Sequence, residues 1–385
     1  MEASLYLHIP FCAGVCDYCD FYSIPVEPKD PRIRRYVDRL LEDGKRFIQD
    51  LDITAVPTVY IGGGTPSMLG ASEMRRLLEG LAEFWEVPPE EITVEMNPES
   101  GDEAFLEACR DSGVTRISLG VQSFHVPSRQ AVHRVGADYR ADERLRLVRD
   151  IFGRQFSVDL IAGLPFQDEN ILLRDLEQVF AYEPVHISLY ALTLEPGTLL
   201  ETRSRLKKTL IPDQDARDAL WITGRDFLEQ AGYEQYEVSN FCLNNNQSIH
   251  NIRYWRMKNW LGLGAASSST LIDDETGTGR RVTFEPDLGL YMTRTGTPLT
   301  EVLDVLTLMK ETFLMGFRYR RGPEEKLFQK RFGLSISECI PRTLGSWRMQ
   351  GLADPQKTAL TSGGLLFLDR FLRDVFEEIE TKIRK

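Results

Sequence analysis

Residues 5–21 read LYLHIPFCAGVCDYCDF, and this stretch decides how the whole chain is interpreted. It begins with a short apolar run, residues 5–9, which is typical of a buried β-strand. Three of the six cysteines of the chain follow close together, at Cys12, Cys16 and Cys19. A disulfide scaffold spreads its cysteines along the chain, so this crowding predicts a metal site in a reducing compartment.

Three thiolates at this spacing can hold three irons of a [4Fe–4S] cubane and leave the fourth iron without a protein ligand. The open iron can bind the amino and carboxylate groups of S-adenosylmethionine (SAM). A structural zinc site is the alternative, but zinc needs four nitrogen or sulfur ligands. The nearest fourth ligand, His8, lies within the predicted strand. The loop therefore predicts an iron–sulfur cluster on Cys12, Cys16 and Cys19.

Short apolar runs alternate with amphipathic helical patterns from residue 1 to about residue 200. This alternation predicts a parallel sheet with right-handed helical crossovers. We count about six such units, fewer than the eight of a closed TIM barrel. The predicted fold class is therefore α/β, a partial (β/α)6 barrel. The strand candidates are residues 5–9, 58–61, 92–95, 116–119, 157–161 and 186–190.

The pattern changes after the sixth strand candidate. Residues 240–251 are rich in asparagine and are predicted to form a loop, whereas residues 302–317 have a strong helical pattern. A short hairpin is predicted around residues 359–366. The predicted domains are a barrel core at 1–212, a connecting region at 213–299 and a small, mostly helical C-terminal domain at 300–385.

Polar and glycine-rich residues follow directly after the predicted strands. Gly62-Gly63-Gly64-Thr65-Pro66 follows the second strand, Glu95 ends the third, and Gln122 follows the fourth. Chemistry in βα barrels gathers at this end of the strands. The glycine run alone could be a tight turn, but glycines also let backbone groups approach a ligand closely. Beside the cysteine loop, these residues predict a ligand pocket.

The motif C-x3-C-x2-C, with Tyr18 just before its third cysteine, resembles the signature of the radical SAM superfamily. The preceding residues, Tyr6-Leu7-His8-Ile9-Pro10-Phe11, narrow the resemblance. They are similar to the branch that contains oxygen-independent coproporphyrinogen III oxidase (HemN) and the HemW heme chaperones. The resemblance covers nearly the whole chain and implies that region 213–299 completes the SAM pocket. The residues it implies for SAM contact are Tyr6, Gly63, Gly64, Thr65, Glu95, Gln122, Arg134 and Asp159.

Three features distinguish the two members of this branch. The oxidases resemble C-x3-C-x2-C-x-C, and Phe21 stands here where they have the fourth cysteine. They also carry a longer segment before the first strand. Residues 250–255 match the H-N-x-x-Y-W motif of HemW proteins, with His250, Asn251, Tyr254 and Trp255. The resemblance thus implies a heme chaperone that binds the cluster, SAM and heme, and transfers heme to an acceptor protein. The alternative is a coproporphyrinogen III oxidase, and the sequence leaves open whether SAM is cleaved.

The chemistry of these four residues suits heme. An imidazole is a common axial heme ligand, and Tyr254 and Trp255 offer flat apolar faces for a macrocycle. In the alternative interpretation, His250 caps a turn and the two aromatic residues pack in a core. Ser248 stands where HemW proteins often have a cysteine, which argues against a thioether link to heme. A structural role is the default for the other histidines, His8, His125, His133 and His186.

The composition restricts the partners. The net charge of −12 and the pI of about 5.1 argue against nucleic acid or an anionic membrane as the main partner. No apolar run approaches a membrane span, and the N-terminal residues do not resemble a secretory signal. The expected location is the cytoplasm, and the expected partners are a heme or tetrapyrrole of porphyrin metabolism and an unidentified acceptor protein.

Overall fold

The computed structural model describes residues 1–134, 140–208 and 211–383. Within these ranges the strands form one 12-stranded sheet and a separate two-stranded pair. The large sheet has the order β14-β13-β12-β11-β1-β4-β5-β6-β7-β8-β10-β9, and the pair is β2-β3. The strands are β1 (Ser4–Ile9), β2 (Phe11–Cys12), β3 (Ile24–Pro25), β4 (Thr58–Gly63), β5 (Glu91–Met96), β6 (Arg116–Gln122), β7 (Phe156–Ala162), β8 (His186–Ala191), β9 (Glu234–Gln235), β10 (Asn240–Cys242), β11 (Trp260–Leu263), β12 (Ser268–Asp273), β13 (Thr278–Thr283) and β14 (Leu299–Leu303).

Helices connect the parallel strands and build the C-terminal part. A 3-10 turn at Pro66–Leu69 follows β4 directly. The helices are α1 (Pro31–Asp50), α2 (Gly70–Ala82), α3 (Glu103–Asp111), α4 (Val126–Ala131), α5 (Ala141–Phe152), α6 (Glu169–Phe180), α7 (Leu199–Arg205), α8 (Gln214–Gln230), α9 (Ile249–Trp255), α10 (Leu288–Thr293), α11 (Val305–Gly316), α12 (Glu325–Phe332), α13 (Ile336–Cys339), α14 (Pro341–Met349), α15 (Ser362–Leu365) and α16 (Leu368–Ile383).

The predicted α/β architecture is confirmed. β1, β4, β5, β6, β7 and β8 lie side by side in that order and pair in parallel. Their apolar side chains, such as Leu5, Leu7, Val59 and Ile61, are fully buried between the sheet and the helices. The carboxyl ends of these strands therefore meet along one edge, where the loops after β1, β4 and β5 lie together.

Helix α1 shows how local sequence fixes these elements. Asp30 accepts a hydrogen bond from the backbone amide of Arg32 and caps the helix, and Pro31 fits the first helical position. Buried residues at helical spacing, including Ile33, Val37 and Leu40, face the sheet.

The sheet continues beyond the six predicted strands. β11 pairs in parallel with β1, and β12, β13 and β14 add an antiparallel extension on that side. On the other side β10 pairs antiparallel with β8, so the prediction of a loop throughout residues 240–251 is wrong. The predicted hairpin around residues 359–366 is also wrong. Ala353 forms an isolated bridge with Leu360, and Thr361 caps the short helix Ser362–Leu365.

The C-terminal helices share a second apolar core. Phe313, Phe317, Trp347 and Phe371 are buried there, with the rings of Phe317 and Phe371 only 4.5 Å apart in an edge-on arrangement. Such aromatic packing stabilises a small helical unit. Over the described residues, none of the helices has the length and apolar character needed to cross a membrane.

Candidate active site at the carboxyl ends of the strands

The cysteine loop is fastened to the glycine-rich loop by backbone hydrogen bonds. The amide of Gly64 donates to the carbonyl of Ile9 at 2.8 Å, and that of Thr65 donates to the carbonyl of Phe11 at 2.8 Å. A Cβ on Gly64 would lie 2.9 Å from each of these carbonyl oxygens. Glycine is required here because any side chain would separate the two loops.

A chain of side-chain contacts links two of the three cysteines. Sγ of Cys12 lies 3.2 Å from the hydroxyl of Thr65, and Asn97 donates to that hydroxyl at 3.0 Å. Arg134 donates from Nη2 to Asn97 Oδ1 at 2.7 Å, and its Nη1 lies 3.7 Å from Sγ of Cys16. The sulfur positions are therefore set by residues that follow β4, β5 and α4. Asn97 was not among the predicted site residues, because its role depends on this tertiary contact.

None of the three cysteines forms a disulfide, and Cys16 is buried. Burial raises the pKa of the Cys19 thiol to about 11, so iron ligation would have to release its proton. Over the described residues, no three His, Cys, Asp or Glu side chains converge as ligands of a single ion would. Sulfurs that share one zinc lie about 3.8 Å apart, given a Zn–S distance of about 2.3 Å. In a cubane each cysteine ligates a separate iron, so the three sulfurs need not converge on one ion.

A cavity of about 330 Å³ opens beside the cysteine loop, within the range of about 300–1,000 Å³ typical of small-molecule sites. The residues that line it come from the part of the sequence that runs from Tyr18 to Glu195, and they include Cys19. Tyr6 is not in the lining; its hydroxyl lies 3.1 Å from Nδ1 of His8. The structure brings together the other predicted SAM residues in this lining: Gly63, Gly64, Thr65, Glu95, Gln122, Arg134 and Asp159.

Two carboxyl groups lie in this cavity. Glu95 accepts hydrogen bonds from the hydroxyl of Tyr60 at 2.6 Å and from the amide of Gly63 at 3.2 Å. Burial raises the pKa of Glu95 to about 7, and the charge of Asp159 also raises it. Burial raises the pKa of Asp159 as well, against hydrogen bonds such as those from Ser118 at 3.2 and 3.1 Å. A cationic ligand group in the cavity would favour the charged form of both carboxyl groups.

The cavity fits SAM on three observations. Nε of Arg134 is buried and has no hydrogen-bond partner among the described residues, so it is available to a ligand carboxylate. Gly63 has φ of 109°, and a Cβ there would meet the His8 ring at 2.6 Å. Glycine is therefore needed at this position, and the backbone of Gly63 and Gly64 lines the cavity. The paired carboxyl groups suit the ammonium and ribose hydroxyls.

The predicted heme residues lie at the other end of the strands. Glu91 begins β5 and accepts hydrogen bonds from the amides of Ile249 and His250, each at 2.9 Å, which holds the first turn of α9. Thr58 begins β4, and its hydroxyl lies 2.8 Å from Nδ1 of His250. Helix α9 is therefore fixed to the amino ends of the strands, away from the cysteine loop.

His250 is 0% exposed, and its Nε2 has no hydrogen-bond partner among the described residues. Burial, with the charge of Arg253, lowers its pKa to about 3, so the ring is neutral. The Tyr254 ring packs edge-on against it at 4.8 Å, and Asn251 donates its amide hydrogen to Ser248. Trp255 packs against a different cluster around Tyr236 and Tyr319. The four residues thus share one helix, but heme could reach Nε2 of His250 only if α9 moved.

Comparison with known proteins is consistent with this site. The sequence profile of the Radical SAM superfamily matches residues 6–179. The heme chaperone HemW of Lactococcus lactis is 32% identical over 353 residues, covering 89% of this chain and 90% of that protein. HemW of Escherichia coli is 36% identical over 77% of this chain and 74% of its own length. The radical S-adenosyl methionine domain-containing protein 1 of Bos taurus is 32% identical over 96% of this chain and 82% of that protein.

Among solved structures, coproporphyrinogen III oxidase (HemN) from Escherichia coli, described as a radical SAM enzyme, has a similar fold. Its TM-score is 0.80 with 20% sequence identity, and the match covers 97% of this chain and 90% of that one.

Proposed function

Because the chain belongs to the HemW family of the radical SAM superfamily, we propose that it is a heme chaperone that also holds a [4Fe–4S] cluster and SAM. The proposal for the cluster and SAM is supported by one observation above all. Contacts through Thr65, Asn97 and Arg134 join Cys12 and Cys16 to the cavity that collects the predicted SAM residues. Heme binding and transfer are proposed from the family and from the predicted heme residues.

In this proposal Cys12, Cys16 and Cys19 hold three irons. When bound, such a cluster would supply the electron for any cleavage of SAM. The hydroxyl of Thr65 would donate to the thiolate of Cys12, and the guanidinium of Arg134 places positive charge near the sulfur of Cys16. Hydrogen bonds and positive charge next to cluster sulfurs stabilise the reduced form.

The remaining pocket residues would bind and orient SAM. Glu95 as a carboxylate would accept from the ammonium group, and Asp159 from ribose hydroxyls. Arg134 would bind the carboxylate through its free Nε, and the backbone at Gly63 and Gly64 would lie against the ligand. Gln122 and Tyr6 complete the predicted set. Tyr6 would act indirectly, through its ring contact with Tyr60, which holds Glu95.

The heme proposal rests on four residues of the H-N-x-x-Y-W motif: His250, Asn251, Tyr254 and Trp255. It requires α9 to separate from Glu91 and Thr58 so that the unpartnered Nε2 of His250 becomes accessible. His250→Ala would then weaken hemin binding, whereas an unchanged affinity would exclude His250 as the ligand.

We also propose a cytoplasmic location, in keeping with six free cysteines. Cell fractionation with compartment markers tests this location.

A direct test of the function uses the full chain with its cluster rebuilt under anaerobic conditions. Iron and sulfide are counted, hemin is titrated by absorbance, and a second sample receives SAM, reductant and coproporphyrinogen III. We expect about four irons per chain, saturable hemin binding and no protoporphyrinogen. Zinc in place of iron would overturn the cluster proposal. Turnover of coproporphyrinogen III without hemin binding would favour the alternative function, that of an oxidase. HemN, which has a similar fold, is such an oxidase.

A further inference from the structure

A groove of about 630 Å³ lies between helix α9 and the C-terminal part of the chain, within the range of about 300–1,000 Å³ typical of small-molecule sites. Arg256, which caps the carboxyl end of α9, is one of its lining residues. Most of the others come from the C-terminal part, among them residues 321–325, Arg348 and residues 356–358. The helix that carries the predicted heme residues therefore borders this groove.

Residues of the groove also contact the loop that precedes α9. The hydroxyl of Tyr319 donates to Oε1 of Gln247 at 3.1 Å, and Arg321 donates to Oδ1 of Asn245 at 3.4 Å. This asparagine-rich loop leads into Ser248, whose side chain caps the first turn of α9. The groove is thus connected to both ends of α9, and a movement of that helix would change its shape.

Positive charge predominates in the lining of the groove. The lining contains four cations and two acids: Arg256, Arg321, Arg348, Lys357, Glu324 and Glu325. Glu324 already pairs with Lys258 at 3.1 Å. Arg348 and Lys357 lie within the electrostatic reach of Asp354. An excess of positive charge in a chain of net charge −12 favours an anionic ligand at this surface.

Two of these cations have no acidic partner. Arg256 and Arg321 form no ion pair among the described residues. The guanidinium of Arg256 lies 5.7 Å from the centre of the Tyr319 ring, and Arg321 is exposed. Arginine presents a planar fork of donors that matches the two oxygens of a carboxylate. The pair therefore favours a ligand that carries carboxylate groups.

A narrow cleft adjoins the groove and shares Arg256 and Pro323 with it. Trp255 and Arg331 also line this cleft. Nε1 of Trp255 and Nη1 of Arg331 are buried and have no hydrogen-bond partner among the described residues. The side chain of Arg331 is only 2% exposed. Both groups can only donate hydrogen bonds, so an acceptor on a ligand would satisfy them.

We infer that this groove binds the propionate groups of heme, with Arg256 and Arg321 as their cationic partners and the indole N–H of Trp255 as a further donor. The inference rests on the proposed heme-binding function and names the residues that hold the acidic edge of the ligand. Trp255 belongs to the H-N-x-x-Y-W motif, so the motif and the groove would contact the same molecule. The cleft is narrow, so a carboxylate would reach Trp255 once α9 moves away from Glu91, the movement that access to His250 also requires.

The test compares hemin with hemin dimethyl ester, in which both propionates are uncharged. Each ligand is titrated into the full, cluster-loaded chain in the same detergent solution, and binding is followed by absorbance. We expect the wild type to bind hemin at least tenfold more tightly than the ester. A double variant that combines Arg256→Gln with Arg321→Gln should bind hemin about tenfold more weakly, because two charge pairs are lost, and should bind the ester as the wild type does.

Lys326→Gln is the matched control, because Lys326 is an exposed cation next to Glu325 and does not line the groove. It should bind both ligands as the wild type does. The absorbance spectrum of bound hemin should be the same in all variants, because the iron ligand is unchanged. Thermal unfolding checks that each variant is folded.

Equal affinity of the wild type for hemin and its ester would overturn the inference, as would unchanged hemin binding in the double variant. A double variant that loses affinity for both ligands equally would also overturn it, because the two arginines would then not act on the propionates. In each of these cases hemin binding by the wild type leaves the proposed function intact. Wild-type protein that binds neither ligand would overturn the proposed function itself.

Discussion

The guanidinium of Arg134 lies 3.7 Å from the sulfur of Cys16, although 118 residues separate the two along the chain. The same side chain donates to Asn97 and to the carbonyl of Gly120, both at 2.7 Å. One buried cation thus connects the cysteine loop with the ends of β5 and β6. Changes in the SAM cavity should therefore affect the cluster, and the reverse should also hold.

Replacing this arginine by lysine keeps the charge but removes the forked geometry. We expect Arg134→Lys to weaken SAM binding about 10–100-fold, since a hydrogen bond to a charged group contributes about 1.5–3 kcal/mol. Calorimetric titration of SAM into the cluster-loaded protein measures this. Arg140→Lys is the control, because that side chain is 61% exposed and pairs only at 3.7 Å. An unaltered SAM affinity at full iron content would contradict the assigned role.

The contact between the two loops predicts a steric effect at Gly64. A methyl group there meets two carbonyl oxygens at 2.9 Å, so Gly64→Ala should destabilise the fold by about 1–3 kcal/mol and lower cluster occupancy. Thermal unfolding and iron content report the two effects. Gly345→Ala in α14 is the matched control, because a Cβ there meets nothing within 4 Å. The control should be neutral or slightly stabilising, as alanine favours a helix. Equal behaviour of the two variants would refute the steric argument.

SAM binding should depend on pH through Glu95. The pKa of Glu95 is raised to about 7, so its carboxylate form predominates above that pH and is lost as the pH falls. Between pH 8 and pH 6 the ionised fraction falls about tenfold, and the Kd for SAM should rise by up to that factor. Equilibrium dialysis at several pH values provides the measurement. Glu95→Gln should bind weakly with a much flatter profile, and a flat wild-type profile would rule out Glu95 as the pH-sensitive group.

The C-terminal helices predict a pH effect on stability, and its cause is a lowered pKa instead of a raised one. Glu378 in α16 accepts from the amides of Arg342 at 3.0 Å and Thr343 at 2.8 Å, and so caps α14. Burial acts to raise the pKa of Glu378, but these hydrogen bonds outweigh it and the pKa is lowered. Its stabilisation is therefore present above the ordinary glutamate pKa and lost as the pH falls through the lowered value.

Glu378→Gln should accordingly lower the free energy of unfolding by about 1 kcal/mol at pH 7, and the difference from wild type should shrink toward pH 3. Denaturant unfolding at both pH values measures it. Glu377→Gln, at the exposed neighbouring position, is the control and should change little. A deficit that persisted unchanged at pH 3 would show that the charge of Glu378 is not the cause.

Local patterns were sufficient to predict the six parallel strands, whereas the residues that line the cavity were implied by the family resemblance. The strands are short apolar runs buried on both faces, and their carboxyl ends must meet at one edge. The antiparallel extension was missed because its strands lack such a pattern. β13 reads TGRRVT, and four of the five residues of β14 are exposed.

The contacts that depend on distant partners could not be predicted. Asn97 and Asp17 are ordinary polar residues in the sequence, and only the fold places them against Arg134 and His133. The burial of His250 was equally hidden, because it depends on Glu91 and Thr58 at the start of two distant strands. The H-N-x-x-Y-W motif identified a family without showing at which end of the strands it lies.

Strand β1 is paired on both sides, with Leu5 opposite Val59 of β4 and opposite Leu261 of β11. During synthesis on the ribosome β4 emerges early, whereas β11 emerges only after the entire parallel set. The backbone N–H and C=O groups of β1 that pair with β11 in the folded protein therefore have no native partner while the nascent chain grows. Such late, long-range pairing slows folding and leaves an edge open to other chains. Overproduction at low temperature should consequently increase the yield of folded protein, and fragments that end before residue 260 should aggregate.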